Sequence, residues 1–163
     1  MMARSIAVTL ATAAMLVGPA LAYGVLGSAA GAKAECTIVG TAADDYLHGT
    51  SRDDVICTRA GNDSETWGME GRDILRLGKG DDTGDGDEGN DILRGGPDDD
   101  FLYGENQTDR LYGGQGDDTG YGEDDNDFVK MRDNVSGNDT ADGGVQTDTC
   151  VIDAGDTAVS CEQ

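Results

Sequence analysis

The 163-residue chain has one histidine (His48), one tryptophan (Trp67) and two prolines, and 5% of it is aromatic. A single imidazole removes the His-Glu-x-x-His zinc pattern and any Ser-His-Asp triad with a spare partner. Bases are also scarce: 11 Lys and Arg stand against 33 Asp and Glu, a formal charge of −22. With no basic patch to neutralise phosphates, nucleic acid is excluded as a partner. Cysteine is absent between residues 58 and 149. Carboxylates are so abundant that no pair of them marks an acid–base site, and the run from Asp85 to Asp91 lacks EF-hand spacing. No catalytic constellation remains, so the chain reads as non-enzymatic.

Long apolar runs are confined to the N-terminus. Arg4 supplies a short positive region, Ile6 to Val17 an apolar core, and Ala20-Leu21-Ala22 a small-x-small cleavage site; Ala32-Lys33-Ala34 is a second. Residues 1–34 therefore read as a signal peptide and short leader, cut after Ala22 or Ala34, and 35–163 as the secreted, extracellular domain. Ile6 to Leu26 is long enough for a membrane anchor. Pro19 and the alanine-rich tail favour cleavage instead, and no membrane contact is expected afterwards. From Glu35 onward the chain holds 9 basic and 33 acidic residues, a formal charge of −24. Leu, Ile, Val and Phe make up 20 of those 129 residues, about 16%, a share found in disordered chains. With so little to bury and so much self-repulsion, such a chain needs added positive charge to fold.

What it has in quantity is a period. Counted in nines from Gly40, twelve units carry aspartate at the sixth place: Asp45, Asp54, Asp63, Asp73, Asp82, Asp91, Asp100, Asp109, Asp118, Asp127, Asp139 and Asp148. An extra Trp67 and the segment Met131 to Asp133 interrupt the phase; seven units from Gly68 to Lys130 run without a slip. Glycine recurs at places one, two and four, and an apolar residue at place eight, as in GDEGNDILR from Gly86.

These residues resemble the nonapeptide G-G-x-G-x-D-x-U-x of RTX, or haemolysin-type, calcium-binding repeats, over residues 40–151. The layout as a whole is similar to small secreted calcium-binding repeat proteins of actinobacteria, with a Cys-Thr-Ile-Val-Gly opening and an Asp-Thr-Cys-Val-Ile-Asp ending. The resemblance implies an all-β fold: a parallel β-roll with two units per coil and several Ca2+ ions bound between successive turns.

The residue types suit that cation. Glycine lets the turn take positive φ and brings carbonyls together. Aspartate adds a hard anionic oxygen, and calcium takes six to eight oxygens at about 2.3–2.6 Å. No thiolate or imidazole cluster offers a zinc site. With two units per coil, turns 18 residues apart stack. Asp73 then faces Asp91, Asp91 faces Asp109 and Asp109 faces Asp127 along one edge, while Asp82 faces Asp100 and Asp100 faces Asp118 along the other. Asp45/Asp63 keeps the spacing. Asp54/Asp73 and Asp63/Asp82 straddle Trp67, and Asp118/Asp139 and Asp127/Asp148 straddle the second interruption. At place four, Ala43, Arg52, Asp98, Gln107, Asp125 and Gln146 replace glycine, and the turns from 104 and 122 are the doubtful ones.

Place eight is expected to point inward. One wall then reads Ile56, Leu75, Leu93, Leu111, Val129 and Cys150. The other reads Leu47, Glu65, Gly84, Leu102, Gly120 and Ala141, an eroded wall whose lost burial is left for metal binding to offset. Outward at place nine stand Arg76, Arg94, Tyr112 and Lys130 on the fuller sheet and Tyr103 and Tyr121 on the other; His48 is also an outward place-nine residue. In a roll of six coils the ends lie on the order of 25–30 Å apart, beyond disulfide reach. The pairing that remains is Cys36–Cys57 and Cys150–Cys161, stapling the end coils. The expected function is calcium binding that drives folding. The alternative is a cell-surface adhesion or polymer-binding module, taking an extracellular polymer or cell-surface ligand, in which calcium is only structural.

Overall fold

The computed structural model describes residues 34–135 and 137–162. The expected signal peptide up to Lys33, with its first cleavage site and the apolar span Ile6 to Leu26, lies outside the described residues; Ala34, at the second expected cleavage site, accepts a hydrogen bond from Arg76 Nη1 at 3.0 Å. Among the described residues there is no helix, and every strand pairing is parallel.

The chain alternates between two seven-stranded sheets. Sheet one holds β1 (Ile38–Val39), β3 (Val55–Ala60), β5 (Ile74–Lys79), β7 (Ile92–Pro97), β9 (Arg110–Gln115), β11 (Phe128–Lys130) and β13 (Thr149–Val151). Sheet two holds β2 (Tyr46–His48), β4 (Glu65–Trp67), β6 (Thr83–Asp85), β8 (Phe101–Glu105), β10 (Thr119–Glu123), β12 (Thr140–Asp142) and β14 (Thr157–Val159). Strands stack in chain order within each sheet, so each coil lies on the one before it. The result is a parallel β-solenoid of about seven turns. The twelve aspartate units account for six coils; β1 and β14, which lie outside those units, complete the seventh, β14 following an aspartate of its own, Asp156.

Place eight on sheet one faces inward as expected: Ile56, Leu75, Leu93, Leu111 and Val129 are fully buried and in register. On sheet two the pattern needs a correction. Leu47 pairs with Thr66 and Tyr46 with Glu65. Thr66 is therefore the buried residue and Glu65 points outward. The extra residue sits between Asp63 and β4, not at Trp67, which lines up outside with His48 and Asp85. An added residue costs least in the irregular step between turn and strand, where it breaks no ladder hydrogen bond.

The eroded wall is also less empty than place eight alone suggests. Place one follows the outward place nine and faces inward again, and at two such positions the chain has replaced glycine with a large apolar residue. Leu77 is fully buried, and a Cβ built on Gly84 would lie 2.9 Å from its Cδ1. Met131 is fully buried too, and a Cβ on Gly120 would run into its Cε. Each side chain crosses from the sheet-one side into the space its facing glycine leaves. Burying either contributes roughly 1.5–3 kcal/mol. The second interruption is thus a loop enlarged after Met131, closed by an ion pair of Arg132 with Asp153 at 3.2 Å. Metal is not needed to make good the missing leucines.

The disulfides join Cys36 to Cys57 and Cys150 to Cys161, with Cα separations of 5.9 and 5.7 Å. Each ties a terminal segment to an end coil.

Candidate metal centre

The place-six aspartates form two continuous rows, one along each edge of the solenoid. In each row the backbone N–H of one aspartate donates to Oδ1 of the aspartate one coil later. Asp73 donates to Asp91 at 2.7 Å, Asp91 to Asp109 at 2.7 Å and Asp109 to Asp127 at 2.8 Å. On the other edge Asp82 donates to Asp100 at 3.1 Å and Asp100 to Asp118 at 3.0 Å. The pairs that straddle the interruptions are built alike: Asp54 with Asp73, Asp63 with Asp82, Asp118 with Asp139 and Asp127 with Asp148, at 2.7–2.9 Å. Asp45 donates to Asp63 at 2.7 Å. Insertions change the loop between two aspartates but leave their stacking intact.

One row ends in a glutamate and the other in an aspartate. Asp148 donates to Glu162 Oε2 at 2.6 Å. Asp156 closes the other row. Desolvation pushes its pKa up, but N–H groups of Asp153, Gly137, Asn138 and Asp139 outweigh this and hold it below the usual carboxylate range.

The second carboxylate oxygen behaves differently. Oδ2 of Asp63, Asp73, Asp82, Asp91, Asp100, Asp109, Asp118, Asp127, Asp139 and Asp148 is buried with no hydrogen-bond partner. Such orphans are rare in folded proteins and cost about 1–3 kcal/mol each, more if charged. Seven of the ten, those of Asp73, Asp91, Asp100, Asp109, Asp118, Asp127 and Asp148, lie in a small cradle beside a glycine. A Cβ added to Gly86 would stand 2.7 Å from Asp91 Oδ2 and 2.8 Å from the carbonyl oxygen of Gly104. Only a residue without a side chain leaves this space open to the two oxygens.

Burial without countercharge sets the electrostatics. Desolvation is the first cause throughout, partly opposed by the N–H bond to Oδ1 and reinforced by neighbouring carboxylates. Asp109 is pushed up to about 9 and Asp100 to about 8. Asp91, Asp118 and Asp127 are pushed up to about 7, and Asp73, Asp82 and Asp139 to about 6. The shift is largest at Asp109 and Asp100 in the middle coils, where burial is deepest.

Asp45 and Asp54 stand apart from the other site residues expected from sequence. Asp45 Oδ2 accepts from Thr41 N at 2.6 Å and Thr41 Oγ1 at 3.1 Å; Asp54 Oδ2 accepts from Thr50 N and Oγ1, both at 2.8 Å. Their second oxygen is already satisfied. The reason is local: from the third turn on, place two takes positive φ even at Arg59, Met69, Asp87, Glu105 and Glu123, whereas Thr41 and Thr50 do not. A β-branched residue is poorly tolerated there. The doubtful turns from 104 and 122 do adopt the turn conformation, with Gln107 at φ 76° and Asp125 at φ 82°. Asp98 and Gln146 do the same, while Ala43 and Arg52 do not. Sequence pattern missed the threonine at place two as the mark of a different turn.

Among the described residues no three His, Cys, Asp or Glu side chains converge as a cluster. A cation held between these turns would therefore take much of its shell from carbonyl oxygens. The donor set, hard oxygen throughout, suits calcium or magnesium and not zinc or copper.

A protein-family model described as the RTX calcium-binding nonapeptide repeat matches in four copies, at residues 37–65, 67–93, 85–120 and 94–129. Comparison with curated proteins and with solved structures returns no match.

Proposed function

The chain belongs to the RTX calcium-binding nonapeptide repeat family, and from that premise we propose that it is an exported, non-enzymatic binder of several calcium ions whose folding depends on them. The observation that carries the reading is the double row of buried, unpartnered Oδ2 atoms beside glycine cradles. Asp73, Asp82, Asp91, Asp100, Asp109, Asp118 and Asp127 are the residues that would hold the ions, with Asp63, Asp139 and Asp148 extending the rows. Calcium, when bound, supplies the positive charge these oxygens lack. Asp45 and Asp54 contribute to the end turns through their threonine hydrogen bonds instead.

The chain's own groups prepare the sites. Each Oδ1 is held by an N–H of the preceding coil, which fixes the carboxylate and leaves Oδ2 pointing into its cradle. Export is favoured by the apolar N-terminus and by two disulfides, which persist in oxidising compartments. Extracellular calcium modules bind at about 10⁻⁴–10⁻³ M, so the chain would stay unfolded until it reaches calcium-rich surroundings. Circular dichroism during a calcium titration tests this: β signal should rise cooperatively in the millimolar range, with several ions counted by calorimetry. An unchanged spectrum at 10-fold excess over that range would overturn it.

A further inference from the structure

The two outer faces of the solenoid carry opposite charge. On sheet one, places seven and nine of four successive strands, β5 to β11, present Arg76, Arg94, Arg110 and Lys130, with no carboxylate among those eight positions. The other four are Ile74, Ile92, Tyr112 and Phe128, and all eight are exposed or half-buried. On sheet two the strands contain no Lys or Arg at all, and Glu65, Asp85, Glu105, Glu123 and Asp142 stand there. A chain with 33 acids and 11 bases has ample partners for every cation. Yet the one ion pair among the described residues is Arg132–Asp153 in a loop. Four cations are instead collected on one face and left without carboxylate partners.

Their surroundings are specific. The Arg94 guanidinium lies over the Tyr112 ring at 5.4 Å, and the Tyr112 and Phe128 rings are 5.9 Å apart. Tyr112, Phe128 and Arg110 line a shallow cavity of about 300 Å³. Arg110 also lines a neighbouring cavity of about 430 Å³, with Arg72, Ile92, Asn90, Thr108 and Asp91. Aromatic floors with guanidinium edges suit a ligand that joins an apolar ring face to a planar anion, since Arg meets carboxylates bidentately and stacks on rings. The face continues across four adjacent strands along the solenoid axis, so it suits a chain ligand better than an enclosed small molecule.

We propose that the outer face of sheet one binds a carboxylated polysaccharide, with Arg94 and Arg110 meeting its carboxylates and Tyr112 and Phe128 its sugar rings. The inference rests on the calcium reading in one respect: the face exists only in the folded solenoid, and calcium lowers the net negative charge that otherwise repels a polyanion. Binding is accordingly calcium-dependent without calcium touching the ligand.

The test is calorimetry of the mature chain with hyaluronan oligosaccharides in saturating calcium, with dextran as a neutral comparator and polyglutamate as a polyanion without sugar. Circular dichroism in the same buffer reports the fold of every variant. Hyaluronan should bind and dextran should not, with polyglutamate at least about tenfold weaker, ~1.4 kcal/mol. Arg94→Gln with Arg110→Gln should weaken hyaluronan binding by more than about tenfold, and Tyr112→Ala by about threefold. Arg132→Gln, away from this face, should leave it unchanged. No hyaluronan binding by a chain that shows its calcium-dependent β signal would overturn this proposal and leave the calcium reading standing. Undiminished binding by the double arginine variant, or equal binding of polyglutamate, would also overturn it. So would sedimentation showing self-association that the arginine variant abolishes, which would assign the face to a second copy. A chain with no calcium-dependent β signal fails the calcium reading instead, and hyaluronan binding by that unfolded chain would overturn this proposal as well.

Discussion

The wall and the rim of this solenoid both contain gaps, and they are treated in opposite ways. In the wall, Gly84 and Gly120 leave out side chains, and the chain closes the gaps itself with Leu77 and Met131. In the rim, ten aspartates bury an oxygen with no partner, and nothing among the described residues closes those gaps. A defect of volume can be mended by any neighbouring apolar side chain, because packing is not directional. A defect of charge needs a charge, and the nine bases from Glu35 onward stand elsewhere. The wall is therefore self-sufficient and the rim is built to be completed from outside.

The largest effect that would sharpen this contrast is pH dependence without calcium. An aspartate whose folded pKa stands above its ordinary value near 3.8 binds protons more tightly when folded, so stability falls as pH rises. The favourable contribution is fully present below about pH 4. It is lost as pH climbs through about 6 for Asp73 and Asp82 and about 9 for Asp109. In chelator, β signal should be minimal near pH 9 and grow on acidification toward pH 4. A flat profile would mean that the rim is not the source of instability.

Next in size is Leu77→Ala. If Leu77 belongs to the core, the cost should be about 2–5 kcal/mol in saturating calcium, comparable with Leu93→Ala in the filled wall. A cost below ~1 kcal/mol would return Leu77 to the turn. Gly84→Leu alone should cost about 1–3 kcal/mol by overpacking. Combining it with Leu77→Gly should recover at least half of the summed loss, read as coupling in a double-mutant cycle. Additive losses would show that the two positions do not share one space.

The smallest effect is expected at the first turns. Asp45→Asn loses part of a hydrogen-bonded end turn, roughly 1 kcal/mol, and should leave the number of calcium ions unchanged. Asp109→Asn should lower that number while making the metal-free chain easier to fold at pH 8, since it removes a carboxyl that must take up a proton to be buried. Equal effects of the two variants would erase the distinction between threonine-closed and open turns.

The rows were legible because a period states its own spacing: aspartates 18 residues apart must stack if two units make a coil. The disulfides and the Ile56-to-Val129 ladder followed from the same register. Leu77 and Met131 were hidden because place one belongs to glycine, and a single large residue there looks like noise. The signal was present all the same, since LGKGDDTGD carries both the surplus Leu77 and the deficit Gly84. The residue added near Trp67 was misplaced because a period shows that a residue is extra but not which one. The seventh coil was missed because no aspartate unit precedes Ile38–Val39, and because Asp156, the row aspartate before Thr157–Val159, stands one residue out of the phase set by Asp148; Glu162 stands in for the other missing row member.

The direction of the row hydrogen bonds gives the molecule a temporal polarity. Each place-six N–H finds its acceptor in the coil that comes later in the chain, never earlier. At any length short of the whole, a chain growing from its N-terminus ends in a turn whose amide still waits for the next 18 residues. Only the last acceptors, Glu162 and Asp156, draw on no further coil. Closure of the two rows thus begins at Glu162 and Asp156 and runs backward along the order of synthesis.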